Sequence, residues 1–425
     1  MFEPAFGFLF GCSHSFPTLK PWRAEAILGL RSTTMAQPNR KRIAFCLEYP
    51  IGQAGGVSVL VRSLITGLAK DYEIVLVSPD GEPALEADPL RPFIQTHLTF
   101  DATASSAQAA RALAKRIAEA GPGLAHFHFG GNFAWNNRFP GRCPVPPLAK
   151  LRVPVVTTVH MTVGLLHGFC GPQKPLAFKL AYLPIAWLSK LSVLRHVQRE
   201  IAVSQQDCER LRRWYWPLRG RFVRIYHSRI NESAPTAPGS QREPFILAVG
   251  HIAHRKGQAV LAEAFARIAG RFPDWRLCLA GHIGEESCRK QIEDLARKCP
   301  RPEQICLLGQ RDDAADLMRR ASIFVQPSFH EGLPLALQEA LYYQCACVAT
   351  RIAGNTELVE DQRNGLLVPP GDVEEMSWAL EKLIDDLAAR ERLAANGRKS
   401  ILAKEMTAER MIAKHRQIYD GLFAR

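Results

Sequence analysis

Two carboxylates in an otherwise apolar stretch are the first candidates for chemistry in this chain. The stretch FHEGLPLALQEAL, residues 329–341, contains Glu331 and Glu339, eight positions apart. A buried carboxylate costs free energy unless a charged or hydrogen-bonding partner meets it. A ligand would supply such partners if its ribose hydroxyls met Glu339 and its sugar hydroxyls met Glu331. The alternative is that both acids stabilise a helix dipole, by about 0.3–1 kcal/mol each.

The residues around this pair predict a strand, a turn and a helix. SIFVQPS is typical of a buried strand that ends at Ser328, and Gly332 permits a tight turn after it. Pro334 suits the first turn of a helix. We therefore expect Glu331 on the loop at the carboxyl end of the strand. The free N–H groups near Gly332 and Leu333 would then form an anion site at the start of the helix.

Strand and helix patterns alternate through most of the chain, which predicts parallel sheets covered by helices on both faces. A polar segment rich in Pro, Ser and Gly, residues 228–244, interrupts the alternation, which then restarts. The fold class is therefore α/β, with two tandem Rossmann-like, doubly wound domains. A ligand site is expected in the cleft between them, at the carboxyl ends of the strands. The predicted segments are an N-terminal extension (1–40), a first domain (41–230), a linker (231–243), a second domain (244–405) and a C-terminal helix packing back on the first domain (406–425).

Composition narrows the class of protein and its partners. The chain has 425 residues, of which 47% are hydrophobic, and a formal charge of +13. It is long enough for two globular domains, and its basic character favours an anionic partner such as a nucleotide phosphate or an acidic membrane surface. Its 11 cysteines show no metal-binding spacing and suit a reducing compartment.

The motif PSFHEGLPLALQEA resembles the Glu-x7-Glu hallmark of the family 4 retaining glycosyltransferases, and the resemblance extends from Arg42 to about Asp372. It implies the GT-B fold, in which two Rossmann-like lobes enclose a cleft: an acceptor-side first lobe and a second lobe that binds the nucleotide sugar. It also implies that Glu331 contacts the donor sugar and that Glu339 binds the ribose.

A second motif of the same family clamps the diphosphate of the donor with Arg and Lys. In LAVGHIAHRKG, Lys256 matches the family's Lys, whereas His251 stands where the family has Arg. The neighbouring Arg255 would supply the missing charge. The change matters because a neutral imidazole is a poorer phosphate clamp than the bidentate fork of a guanidinium.

Two further segments resemble parts of the family's cleft. In GQAGGVSVLVRSL, Gly55 and Gly56 open a helix after the first strand, where small residues allow the backbone to approach a phosphate or sugar. His160 ends the strand pattern VPVVTTVH, where family members carry a His near the reacting sugar. We count Glu331, His160 and Lys256 as catalytic candidates. Donor-binding candidates are Glu339, Arg255, His251, Gly332, Leu333, Gly55 and Gly56.

The resemblance implies a glycosyltransferase of the EC 2.4 class that uses a nucleotide sugar, retains the anomeric configuration and needs no metal or other cofactor. The acceptor would be a glycan or a lipid-linked glycan of polysaccharide biosynthesis, and the enzyme would be cytoplasmic. The apolar segment 174–197 contains spaced cations and an internal Pro184. It predicts either an interfacial element at the inner face of the plasma membrane or a helical cover on the first lobe.

Three alternatives remain open at this level. The chain could be a catalytically degenerate, glycosyltransferase-like partner subunit, because His251 and Gln344 depart from the family pattern. A nucleotide-sugar epimerase of the same fold would lack the Glu-x7-Glu pattern in this form. A nucleic-acid binder would need basic residues interleaved with aromatic ones, and only residues 209–224 resemble such a patch. We therefore expect no nucleic-acid partner.

Overall fold

The first parallel sheet is formed by the N-terminal half of the chain. A computed structural model describes residues 40–51, 56–104, 106–129, 142–160, 162, 175–232 and 242–424. Seven strands lie in the order β3-β2-β1-β4-β5-β6-β7, and every pairing is parallel. The strands are β1 (Arg42–Leu47), β2 (Glu73–Ser78), β3 (Thr96–Thr99), β4 (Leu124–Phe129), β5 (Val155–Val159), β6 (Arg199–Ala202) and β7 (Phe222–Arg224).

Helices connect these strands, as parallel pairing requires. Apolar side chains on both faces of the sheet form two core clusters, which accounts for the nearly continuous apolar strand sequences. The helices are α1 (Gly56–Leu68), α2 (Glu82–Glu86), α3 (Ala107–Glu119), α4 (Val145–Lys150), α5 (Leu176–Leu194) and α6 (Gln205–Trp214).

The second half repeats the architecture with six parallel strands in the order β10-β9-β8-β11-β12-β13. The strands are β8 (Glu243–Val249), β9 (Arg276–Ala280), β10 (Ile305–Gly309), β11 (Ala321–Gln326), β12 (Ala346–Thr350) and β13 (Leu366–Val368). The helices are α7 (Gln258–Ile268), α8 (Glu286–Lys298), α9 (Ala314–Arg320), α10 (Leu335–Tyr342), α11 (Ala353–Leu358), α12 (Val373–Asp385) and α13 (Leu387–Ala403). The predicted class, two doubly wound α/β domains, is confirmed.

One boundary differs from the sequence interpretation. Strand β8 begins at Glu243, a residue that we had placed in the linker. Glu243 pairs with Ala321 in the sheet, and its carboxylate forms an ion pair with Arg320, with Nη2 and Oε2 3.0 Å apart. The polarity of this residue predicts a loop. Its contacts with neighbouring residues instead extend β8 to include it. Most of the predicted linker, residues 233–241, and the whole extension before residue 40 lie outside the described residues.

The last helix, α14 (Ala408–Phe423), crosses back to the first lobe. Met411 and Tyr419 are buried in the core cluster that surrounds β1 and α1. The Tyr72 hydroxyl donates a hydrogen bond of 2.7 Å to Asp420. Gly67 allows the close approach of this helix, because a Cβ atom there would lie 2.3 Å from Ile412 Cδ1. Helix α14 therefore packs on the first lobe, as the sequence predicts.

Candidate active site

The loop that carries Glu331 lies at the carboxyl end of β11. This strand ends at Gln326 and α10 begins at Leu335, with Pro334 in the N-cap position. The predicted strand was thus two residues too long. The strand ends before Pro327, which has no N–H to donate to the ladder. The Ser328 carbonyl then accepts a hydrogen bond of 2.5 Å from the Thr350 hydroxyl. Glu331 therefore sits on a loop, as the sequence predicted.

The Glu331 carboxylate is surrounded by donors from two loops. Its Oε1 atom accepts hydrogen bonds from Lys256 Nζ at 2.6 Å, from Ser328 Oγ at 2.7 Å and from Gln326 Nε2 at 3.1 Å. Its Oε2 atom lies 3.9 Å from Arg255 Nη1. Three of the predicted site residues, Glu331, Lys256 and Arg255, thus meet in one cluster. Charge-assisted hydrogen bonds hold this carboxylate in a fixed orientation.

Lys256 is positioned by a single turn of 3-10 helix, His254–Lys256, followed by Gly257. Gly257 has a φ of +70°, and a Cβ atom there would lie 2.0 Å from the carbonyl oxygen of Pro327. The Phe329 N–H donates a hydrogen bond of 2.9 Å to the Arg255 carbonyl. Only glycine combines this conformation with so close an approach. The two loops are therefore packed directly on each other, which fixes the distance between Lys256 and Glu331.

His251 lies beside a small open pocket at the carboxyl ends of β8, β9 and β10. Its ring stacks on His282 with centroids 5.5 Å apart. Burial and the charges of Lys256 and Arg255 lower the pKa of His251. The imidazole is therefore neutral at physiological pH and contributes no full charge to a phosphate site. The pocket has a volume of about 140 Å³ and is lined by Val249, Gly250, His251, Ala280, Gly281, His282, Gln310 and Arg311.

Glu339 lies on α10. It faces the segment that follows β7 and leads to the second lobe, residues 225–232, which we call the connecting segment. Both of its carboxylate oxygens are engaged by Arg229, with Nη2 and Oε2 2.5 Å apart and a second bond from Nε to Oε1. The Glu339 side chain is 8% exposed, whereas that of Arg229 is 35% exposed. A buried carboxylate needs a charged or hydrogen-bonding partner, and for Glu339 one such partner is the guanidinium of Arg229.

His160 lies at the end of β5 and is buried. It does not itself hydrogen-bond to the described residues of the second lobe; neighbouring histidine side chains connect it to that lobe. Its Nε2 atom lies 3.1 Å from His128 Nδ1, and its ring stacks on His227 with centroids 5.9 Å apart. His227 Nε2 in turn donates to the Leu333 carbonyl at 2.8 Å. Burial lowers the pKa of His160 well below its usual value. No direct contact with Glu331 is formed within the described part of the chain.

Two of the three glycine candidates, Gly56 and Gly332, can be placed in the structure. Gly55 lies outside the described residues. A Cβ atom on Gly56 would lie 3.9 Å from Leu335 Cδ1, so the start of α1 faces the start of α10 across the cleft. Gly332 is packed against Gly354, where a Cβ atom would lie 2.4 Å from the Gly332 carbonyl oxygen. This contact holds the Glu331 loop against α11.

Metal-ligating side chains are not clustered in the described ranges, where no group of three His, Cys, Asp or Glu residues could hold an ion. The cysteines there are free thiols, and all except Cys306 are buried. Burial raises the pKa of Cys345 to about 11, so that its thiol stays protonated. Cys345 and Cys347 therefore act as small apolar core residues.

Two residues of this region were missed by the sequence analysis. Arg229 was not considered as a partner of Glu339; the only available signal was a cation in the segment IYHSRIN that ends the first lobe. Glu357 lies in AGNTE, which resembles a turn motif of the family 4 glycosyltransferases, but the sequence assigned it no role. Its carboxylate accepts hydrogen bonds from the Gln205 N–H at 2.6 Å and from the Tyr226 hydroxyl at 2.7 Å, and both of these donors belong to the first lobe.

Two parallel α/β lobes, the second with a charged cluster at the carboxyl edge of its sheet, define a GT-B protein, and comparison with sequence families agrees. Residues 54–228 match the model described as Glycosyltransferase Family 4, and residues 231–400 match the model described as Glycosyl transferases group 1. The chain thus consists largely of these two domains, in this order, and this content places it among the glycosyltransferases.

Individual relatives are similar over parts of the chain or in fold. The lipopolysaccharide core biosynthesis glycosyltransferase LpsE of Rhizobium meliloti is 29% identical over 185 residues, which is 44% of this chain and 50% of that protein. The chain therefore spans about half the length of this relative. The structure of a glycosyltransferase from Rickettsia africae superposes with a TM-score of 0.70 at 17% identity, covering 91% of this chain and 99% of that one. Anabaena HepE, solved with UDP and glucose, gives 0.67 at 19% identity, covering 91% and 100%.

Proposed function

We propose that this protein transfers a sugar from a nucleotide-sugar donor to a glycan or lipid-linked acceptor, with retention of anomeric configuration and without a metal. The observation that carries the proposal is the Lys256–Glu331 pair, which joins two loops at the carboxyl ends of β8 and β11 beside an open pocket. Ligands bind at this edge in doubly wound folds. The complex of the structural neighbour HepE with UDP and glucose supports a nucleotide sugar as donor.

The chemistry would depend on stabilising the charge of the leaving nucleoside diphosphate. An ammonium has three N–H donors, and one N–H of Lys256 is used by Glu331. The other two are available for phosphate oxygens, and Arg255 lies close enough to Glu331 to add a second cation. The N–H groups of Gly332 and Leu333 would add partial positive charge at the start of α10. Fixed charges of this kind supply the largest share of rate acceleration in many enzymes.

In the proposed reaction, the bond between the anomeric carbon and the diphosphate oxygen breaks as the acceptor oxygen attacks from the same face. The acceptor hydroxyl gives its proton to the departing diphosphate, so that no protein group has to become a nucleophile. Glu331 would orient the sugar by accepting hydrogen bonds from its hydroxyls. We keep His160 as the candidate for a hydrogen bond with a sugar hydroxyl; its Nδ1 atom is buried without a partner among the described residues, so this atom would have to become accessible when the donor binds.

Replacing Lys256 by Met should lower donor hydrolysis or transfer about 100- to 1,000-fold, because one donor to the developing anion is lost. Glu331→Gln should lower the rate as well, since the sugar loses its orienting carboxylate. The measurement is nucleotide release from a panel of sugar nucleotides with metal chelated. Lys290→Met is the matched control, because Lys290 is an exposed lysine on the same lobe whose loss should leave the rate unchanged.

Two results would contradict the proposal. Equal rates in wild type and Lys256→Met would show that the cluster is not the reaction centre. If no sugar nucleotide were hydrolysed and none raised the melting temperature, the chain would be a degenerate partner subunit. Dependence of the rate on a divalent cation would overturn only the metal-independent part of the proposal.

We infer that the acceptor is presented at a membrane surface in the cytoplasm. Helix α5 is long and apolar enough to cross a bilayer by length and composition alone, although Pro184 lies inside it. Leu176, Phe178 and Leu188 on this helix are exposed, and so is the nearby Trp216. Exposed arginines occur in the adjoining segment, which suits the headgroups of anionic lipids. Free thiols favour a reducing compartment.

The protein should co-float with vesicles that contain anionic phospholipid, and high salt should weaken this binding. Leu176→Asp with Phe178→Asp should abolish flotation, because two carboxylates would oppose insertion of the exposed face. Leu387→Asp on the second lobe is the control, since Leu387 is similarly exposed but lies away from α5. Equal flotation of both variants would refute this surface as the contact.

A further inference from the structure

The segment that connects the two lobes holds the second lobe with three of its side chains. Tyr226 donates to Glu357 at 2.7 Å, and His227 donates to the Leu333 carbonyl at 2.8 Å. Arg229 binds Glu339 through two parallel hydrogen bonds. The first two contacts join the lobes. The third is different, because its acceptor is Glu339, the carboxylate to which the resemblance to the family 4 enzymes gives the donor ribose.

The geometry of this third contact fixes both the position and the plane of the Glu339 carboxylate. A guanidinium that binds through Nε and one Nη matches both oxygens of a carboxylate at once. An ionised carboxylate has about four lone-pair sites, and Arg229 uses one on each oxygen. One site on each oxygen remains, and these two sites point to opposite sides of the carboxylate, so either of them suits a single ribose hydroxyl.

We propose that Arg229 is a positioning residue of the donor site, which orients Glu339 so that a remaining lone pair receives a ribose hydroxyl. This inference rests on the proposed function. The charges of the pair cancel, so the group that completes the site is expected to be a neutral donor such as a hydroxyl, and a second cation is not needed. The low exposure of Glu339 makes this orientation important, because an unpaired buried carboxylate would turn toward other donors.

The test compares a ribonucleoside diphosphate with its 2′,3′-dideoxy analogue by titration calorimetry. The ligand is whichever of UDP, GDP and ADP the wild type binds most tightly. The wild type should prefer the ribonucleotide by about tenfold or more, as expected for hydrogen bonds to a charged group. Arg229→Met should reduce this preference to near one, as should Glu339→Gln. Arg229→Lys, which keeps the charge but not the fork, should restore only part of it.

Glu357→Gln is the matched control, because it weakens another contact between the lobes without touching Glu339. It should change the affinity for both ligands equally and leave their ratio intact. If Arg229→Met did the same, Arg229 would be only a bridge between the lobes and the inference would be wrong. Tighter ribonucleotide binding by Arg229→Met would also overturn it, because the ribose would then compete with Arg229. Failure of the wild type to bind any nucleoside diphosphate would contradict the proposed function itself.

Discussion

Acidification from neutral pH to about 5.5 should lower the free energy of unfolding by about 1 kcal/mol for each of five buried histidines, or several kcal/mol in sum. The five are His126, His128, His160, His227 and His415, from two strands, the connecting segment and the last helix. Neighbouring rings are close: His126 and His128 have centroids 4.1 Å apart, and His126 and His415 are 5.7 Å apart.

The direction follows from the pKa values of these groups. Burial lowers the pKa of His227 and of His415 to about 4, and lowers those of the other three well below the usual 6.5. The unfolded chain therefore takes up protons as the pH falls through about 6.5, whereas the folded protein stays neutral. Stability is fully present above this range and declines below it.

The measurement is urea unfolding at neutral pH and at about pH 5.5. His415→Gln should reduce the dependence on pH by the contribution of one histidine. If wild-type stability were equal at the two pH values, these rings would be protonated already in the folded state or would become exposed before unfolding. Either result would contradict the buried arrangement.

Replacing Lys190 by Met should destabilise the first lobe by about 3–5 kcal/mol, because it leaves a buried carboxylate without its cation. Lys190 Nζ donates to Glu200 Oε2 at 2.7 Å, and both side chains are 0% exposed. The Thr157 hydroxyl donates to the same oxygen at 2.9 Å. Lys190 also lies over the Phe129 ring, 5.1 Å from its centroid.

The double variant Lys190→Met with Glu200→Gln separates the charge effect from packing. Gln keeps an acceptor for Thr157, and with both charges removed the stability should return to within about 1–2 kcal/mol of the wild type. Urea unfolding followed by tryptophan fluorescence is suitable, because Trp187 lies on the same helix as Lys190. If the single and double variants lost equal stability, packing would dominate and the ion-pair argument would fail.

Much of the fold could be predicted because it follows from local patterns. Short, mostly apolar runs, such as RIAFCL and ASIFVQ, form buried parallel strands. The position of Glu331 was predictable in the same way, because the loop that follows a parallel strand lies at the carboxyl edge of the sheet. Boundaries followed less directly. Glu243 belongs to β8 because it pairs with a neighbouring strand that is distant in the sequence. The end of β11 at Gln326, by contrast, agrees with a local signal, Pro327.

The residue pattern alone predicts the class of sheet, the two lobes and the placement of Lys256 and Glu331 at the carboxyl edge of one sheet. They become neighbours because β8 lies next to β11, an order that the pattern does not give. The partner of Glu339 and the environment of His160 likewise follow from the packing of distant elements. Arg229 and Glu339 are 110 residues apart in the sequence, and His160 meets histidines from two other segments. Periodicity describes which way a side chain points from its own element, but the group that it meets depends on how the elements pack.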